Sequence, residues 1–140
     1  MYNAGQSCCA IERVYVHEGI YDQFVESCVS ISNDYVLGNP LEMSTTMGPI
    51  AQSHHIRFLE SQIEQAVDFG AKVLIGGKSC KDESGKGRFF QPTVLVNCNH
   101  NMSVMMDETF GPILPIMKVA SEQEAIEVLV SSILPDSCRK

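Results

Sequence analysis

The stretch HIRFLESQIEQAVDFGAKVLIGG, residues 55 to 77, constrains the fold more than any other. Ile56, Leu59, Ile63, Ala66 and Val67 recur at helical spacing, so they line one face of a helix that must lie on a core. Gly70 stands where a left-handed C-terminal cap is expected. The pattern then changes: Lys72 to Ile75 is a short β-branched apolar run, stopped by Gly76-Gly77, and reads as a buried strand. A helix that hands over directly to a strand implies layers of both kinds.

The same alternation appears on either side. Arg13 to His17 reads as a strand, and in IYDQFVESCVSISNDY the positions Tyr21, Phe24, Val25, Cys28 and Val29 take helical spacing before the turn signal Leu37-Gly38-Asn39-Pro40. Residues 38 to 50 read as loop, and the polar stretch KSCKDESGKG, residues 78 to 87, as an exposed excursion. Phe89 to Val96 and Ile113 to Val119 are β-like, and Pro92 and Pro115 within them favour edge positions or bulges. Glu122 to Leu129 reads as a short helix, and Pro135 ends any helical continuation beyond it. The expected architecture is α/β, a layered sheet with flanking helices.

The 140 residues, 44% of them apolar, suffice for one domain with a core. The formal charge of −7, with basic residues scattered rather than clustered, argues against nucleic acid or an anionic membrane as partner. No apolar run approaches the ~20 residues of a membrane helix, and the first twenty residues lack the pattern of a secretory signal. Six cysteines, at 8, 9, 28, 80, 98 and 138, are too sparse for a disulfide-built scaffold and are expected to be reduced. The chain reads as a soluble, cytoplasmic protein.

Two segments carry candidate chemistry. In GQSCCA, Cys8 and Cys9 follow a turn that Gly5 permits; a helical turn starting there would aim backbone amides at a thiolate or an oxyanion beside Cys8. The alternative is a pair of buried thiols packing as small hydrophobes. Zinc binding does not suit the pair, because ligand cysteines usually stand roughly two to four residues apart. Redox use is disfavoured because adjacent cysteines form strained bridges.

In Asp107-Glu108-Thr109-Phe110-Gly111-Pro112, a carboxylate could grip sugar hydroxyls while the ring packs on a flat heterocycle. The alternative is a turn with solvated acids and a core Phe. His54 and His55 read as surface residues near a helix start with no metal partner at ligand spacing, and His17 and His100 stand alone.

NAGQSCCAIERVYVH followed by IYDQFVE, with ETFGP about 100 residues on, resembles the catalytic domain of the NAD(P)-dependent aldehyde dehydrogenase superfamily. LGNP, MGPI, FGAKVLIGG and FFQPTVL fall between them in family order. The resemblance covers roughly residues 2 to 130 and implies a partial aldehyde dehydrogenase catalytic domain over 1–130, with a divergent tail at 131–140. It implies that Cys8 attacks a small-molecule aldehyde, that hydride passes to NAD or NADP, and that the resulting thioester is hydrolysed. Glu108 is implied to bind hydroxyls of the nicotinamide-side ribose and Phe110 to pack near the nicotinamide, with no metal involved.

The family's general-base Glu, oxyanion Asn and Rossmann-type domain precede the cysteine, so no residue here takes those roles. The start at Met1 is expected to interrupt a longer reading frame. After EAIEVL the chain departs from the family pattern, and the resemblance leads to the expectation that the final oligomerisation strand is missing. Homo-oligomers are expected of the full-length family, and negligible activity of this chain alone. The competing reading is an inactive truncated homologue that associates with full-length subunits through an exposed sheet edge.

Overall fold

The computed structural model describes residues 1–81, 85 and 87–133. Its centre is a four-stranded sheet in the order β1-β6-β5-β2, where β1 is Val14–His17, β2 Lys72–Ile75, β5 Thr93–Val96 and β6 Ile113–Val119. β6 runs parallel to both β1 and β5, and β2 closes the other edge antiparallel to β5. A two-stranded ribbon of β3 (Ser79–Cys80) and β4 (Phe89–Phe90) stands apart. The expected α/β fold, a layered sheet with flanking helices, is what forms.

Helix α1 (Tyr21–Asn33) covers one face, with Tyr21, Phe24, Val25, Cys28 and Val29 packed on Val16, Val94, Val96 and Ile116. All five apolar positions expected of it face the sheet. Helix α2 (Ser53–Asp68) belongs to the opposite cluster, where Leu59, Ile63 and Ala66 join Leu95, Ile113, Met102 and Met105. Alternation along β6 divides the faces: Ile113 and Met117 join the α2 cluster, Leu114 and Ile116 the α1 cluster.

The end of α2 confirms its glycine. Gly70 sits at φ +101, its N–H donates to the Val67 carbonyl at 2.9 Å, and the Ala71 N–H reaches the Ala66 carbonyl at 2.9 Å. Those two bonds make a Schellman cap. The face of α2 is shifted from expectation, however. Val67 is exposed, and Gln62 is buried in the stripe with neither side-chain polar atom partnered.

Several expected elements take another form. Phe89 to Val96 is two strands, with Pro92 marking the break between the ribbon and the sheet. Ser79–Cys80 pairs as β3 inside the expected excursion. Pro115 lies in β6, an interior strand rather than an edge; it is tolerated because pairing with β1 begins only at Ile116. Helix α3 (Ser103–Met106) forms in the MSVMMDETFGP stretch, where the sequence pattern predicts no element. Helix α4 (Glu122–Ile133) runs past Leu129 and starts on a cap in which Ser121 Oγ accepts from the Glu124 N–H. Pro135 and most of the expected tail lie outside the described residues.

Candidate active site

Three loops meet at the site. The first begins with a single turn in the left-handed region, with Asn3 at φ 51 and ψ 36, Ala4 at φ 55 and ψ 32, and Gly5 at φ 72. Such a run is costly for side-chain-bearing residues and is held from outside. Asn3 Nδ2 donates to the Gln6 carbonyl at 2.9 Å, and Gln6 crosses to the second loop: its Oε1 accepts from the Ala51 N–H at 2.8 Å and its Nε2 donates to the Pro49 carbonyl at 3.3 Å.

Cys8 and Cys9 then occupy a reverse turn, not the expected helical turn. The Ala10 N–H donates to the Ser7 carbonyl at 2.9 Å and the Cys9 N–H to Ser7 Oγ at 3.2 Å. Neither bond uses the amide of Cys8. Both thiols are free and exposed, which overturns the alternative of two buried hydrophobes.

The third loop, residues 107 to 112, is pressed onto the first. Gly5 packs against Gly111 so closely that a Cβ on Gly5 would overlap the Gly111 carbonyl. Glu108 is exposed, as is Asp107. Phe110 is half-buried, with its backbone at φ 50, a conformation a bulky aromatic rarely takes. The core position in this loop belongs to Thr109, which is fully buried with its hydroxyl unpartnered. Neither the carboxylate nor the ring is therefore consumed by packing.

Two residues given no role at the site by sequence analysis hold this loop. Glu12 accepts from the Thr109 N–H at 2.8 Å on one carboxylate oxygen and from the Phe110 N–H at 3.2 Å on the other. His55, in the first turn of α2, places Nε2 3.1 Å from the Thr109 carbonyl and 3.0 Å from that of Phe110. Arg13 adds a longer contact of 3.5 Å to the Asp107 carbonyl. His55, expected as a surface residue, instead lines a cavity of about 200 Å³ with Gln6, Ile50, Gln52 and Phe110. The cysteine loop and the ETFGP loop thus share one cavity wall.

A larger, mainly apolar cavity of about 350 Å³ borders Gly5 and Gly111 and is lined by Cys9, Ile11, Phe24, Cys28, Ile31 and Tyr35 among others. His100 Nε2 is 2.8 Å from the Tyr15 hydroxyl; burial, and secondarily the charge of Arg13, lower its pKa. Burial pushes the Cys98 thiol up to about 11, so among the cysteines it is a packing residue. No group of three or more His, Cys, Asp or Glu side chains able to hold a metal occurs among the described residues.

Comparison with known proteins decides what this arrangement belongs to. Residues 1–132 match the aldehyde dehydrogenase family model. This chain is a member of the aldehyde dehydrogenase family. Its relatives include lactaldehyde dehydrogenase of Escherichia coli, 39% identical over 127 residues that make 90% of this chain and 26% of that one. Another is 3-sulfolactaldehyde dehydrogenase of Pseudomonas putida, 37% identical over 126 residues, 90% of this chain and 25% of that one.

Solved structures agree with this membership. Lactaldehyde dehydrogenase from E. coli superposes with a TM-score of 0.83 at 40% identity, over 90% of this chain and 26% of that one. Betaine aldehyde dehydrogenase from Staphylococcus aureus, solved in complex with NAD+, gives 0.85 at 35% identity, over 90% and 25%. The aldehyde dehydrogenase chain described here spans about a quarter of the length of these relatives. Among its described residues, no helix is long and apolar enough to cross a membrane.

Proposed function

We propose that this aldehyde dehydrogenase chain carries the nucleophile and the nicotinamide-side cofactor contacts of an NAD(P)-dependent oxidation of an aldehyde to a carboxylic acid. The observation that supports it is the packing of Gly5 on Gly111, which sets the segment leading into Cys8 against the loop of Glu108 and Phe110, with Gln6 of the one and Phe110 of the other lining a common cavity. Cys8, exposed in its turn, adds its sulfur to the aldehyde carbonyl to form a hemithioacetal. Loss of hydride from that carbon leaves a thioester on Cys8, and water releases the acid and restores the thiol. The amide of Cys8, unused by the turn, is available to the developing oxyanion.

NAD or NADP, when bound, supplies the hydride acceptor. The residues present suit such a group: Glu108 offers an exposed carboxylate to ribose hydroxyls, and Phe110 offers a half-buried flat face to a ring. An NAD+ complex is known for the S. aureus relative, and an E. coli relative is a succinate-semialdehyde dehydrogenase that uses NADP(+). General-base and oxyanion side-chain roles are assigned to no residue of this chain; a positioned base contributes about 10² to 10⁴ in rate to a step such as thioester hydrolysis. A net charge of −7 with scattered basic residues supports a reading without nucleic-acid or membrane partners, and the family resemblance supports cytoplasmic homo-oligomers.

Peptide mapping with fragmentation mass spectrometry after exposure to an activated ester, p-nitrophenyl acetate, tests the nucleophile without the cofactor. Acetylation is expected on Cys8 in preference to Cys9, with a long-lived thioester and negligible aldehyde-dependent NADH formation by the same sample. Equal acetylation of the two neighbours, or none, would remove Cys8 from the role.

A second reading, an inactive homologue that pairs with full-length subunits, is favoured by the apolar residues exposed around the larger cavity: Tyr2 at 78%, Ile11 at 71% and Ile31 at 62%. Their scale suits a surface that another polypeptide covers. Co-purification with a full-length aldehyde dehydrogenase supports that reading, and a monomer on sizing counts against it.

A further inference from the structure

We propose that Glu12 and His55 are positioning residues that together fix the conformation of Phe110. They grip the same short length of backbone by its opposite polar groups. Glu12 takes both N–H groups of Thr109 and Phe110, one on each carboxylate oxygen, while His55 Nε2 faces both of their carbonyl oxygens. Two carbonyls can only accept, so Nε2 carries the proton and the ring is a shared donor. All four polar groups of two consecutive residues are thereby held by two side chains.

That arrangement has a reason in backbone energetics. Phe110 sits at φ 50, and nothing local favours this for an aromatic residue. Its neighbour offers no help, since the Thr109 side chain is fully buried with an unpartnered hydroxyl. A strained residue persists only where surrounding contacts over-determine it. The paired bonds from Glu12 and His55 are those contacts, and the carboxylate bonds are of the stronger, charge-assisted kind.

The two gripping residues come from different places. Glu12 lies four residues after Cys8, between the cysteine turn and β1, while His55 opens α2 and is stacked on Phe58 with ring centroids 5.3 Å apart. The loop bearing Phe110 is therefore referenced to the nucleophile's own segment on one side and to a rigid helix on the other. A ring held this way keeps its face toward the cavity it shares with Gln6, whether or not a ligand is present. The consequence for cofactor placement rests on the proposed dehydrogenase function, but the grip itself does not.

Solution NMR of the full chain separates the two. In the wild type, the Thr109 and Phe110 amides should be protected from hydrogen exchange, the Phe110 HN–Hα coupling and Cα shift should report a positive φ, and His55 Nε2 should carry its proton. Glu12→Gln turns one acceptor into a donor facing an N–H, and should raise exchange at residues 109 and 110 about tenfold or more while the Val94 and Leu95 amides stay unchanged. His55→Leu should release Phe110 to negative φ, and His55→Gln, which keeps a donor, should restore it.

A Phe110 that stays left-handed in His55→Leu, or unchanged exchange in Glu12→Gln, overturns the proposal. Titration with NAD+ reads the other question. Clamp signatures without any NAD+ perturbation of residues 108 to 110 support the grip and remove the cofactor reading. Perturbation by NAD+ in a wild type lacking those signatures does the reverse.

Discussion

Replacing Gly5 by alanine should be the most damaging single-methyl change in the site, and a comparison within the chain isolates why. Gly70 is also at positive φ, +101, but a Cβ there meets nothing within 4 Å. Gly70→Ala therefore costs only backbone strain, about 1–2 kcal/mol, less some gain from a stiffer unfolded chain. Gly5→Ala carries comparable strain at φ +72 and adds overlap with the Gly111 carbonyl. That carbonyl cannot simply swing aside, because it accepts from the Ile113 N–H at 2.8 Å at the start of β6. Overpacking against fixed backbone adds about 1–3 kcal/mol, for a total near 2–5 kcal/mol.

Gly111→Ala should fall between the two, since its Cβ would meet the tip of Leu59, a side chain that is buried but has rotamers to use. Urea unfolding followed by circular dichroism gives all three values on one scale. Equal losses for Gly5→Ala and Gly70→Ala would refute the contact between the two loops, and with it the joining of the cysteine and ETFGP segments.

Three further outcomes are expected. Thr109→Val removes a buried hydroxyl that has no partner and keeps the shape of the side chain, so it should stabilise the chain by about 1 kcal/mol; a lower urea midpoint would mean the hydroxyl is bonded. Iodoacetamide at pH 8 followed by peptide mapping should label the exposed Cys8 and Cys9 quickly and leave Cys98 unmodified until the chain unfolds, because burial both shields that thiol and raises its pKa to about 11. His100 has a folded pKa below its unfolded value of about 6.5, so it binds fewer protons folded than unfolded; stability should be intact above that value and fall as pH drops through the folded pKa. His100→Gln should flatten this dependence between pH 8 and 5, and an unchanged profile would remove His100 as its source.

What the sequence made legible, and what it hid, divides along the range of the interactions involved. The apolar positions of α1 and Gly70 at the end of α2 were readable because each depends on residues within a turn or two along the chain. Cys8, Glu108 and Phe110 could be proposed for chemistry because the motifs around them are short and contiguous. The placement of Pro115 was not readable, because a proline in a strand declares a missing donor but not which neighbour needs it, and here the β1 ladder begins one residue later. Gln62 and Val67 exchanged places because helical spacing locates a stripe without fixing its edges.

The residues that hold the site were hidden for a more basic reason. Glu12 meets its partners 97 and 98 residues away, His55 meets the same two 54 and 55 residues away, and each contacts backbone groups, which every sequence supplies at every position. A side chain that recognises N–H or C=O leaves no complementary residue type to find. Chemistry on loops thus advertises itself in short motifs, while the bonds that orient those loops do not. In this chain the second set ties the loop that carries Glu108 and Phe110 to the segment that carries Cys8 and to α2, and it supplies the outside contacts that a phenylalanine at φ 50 needs.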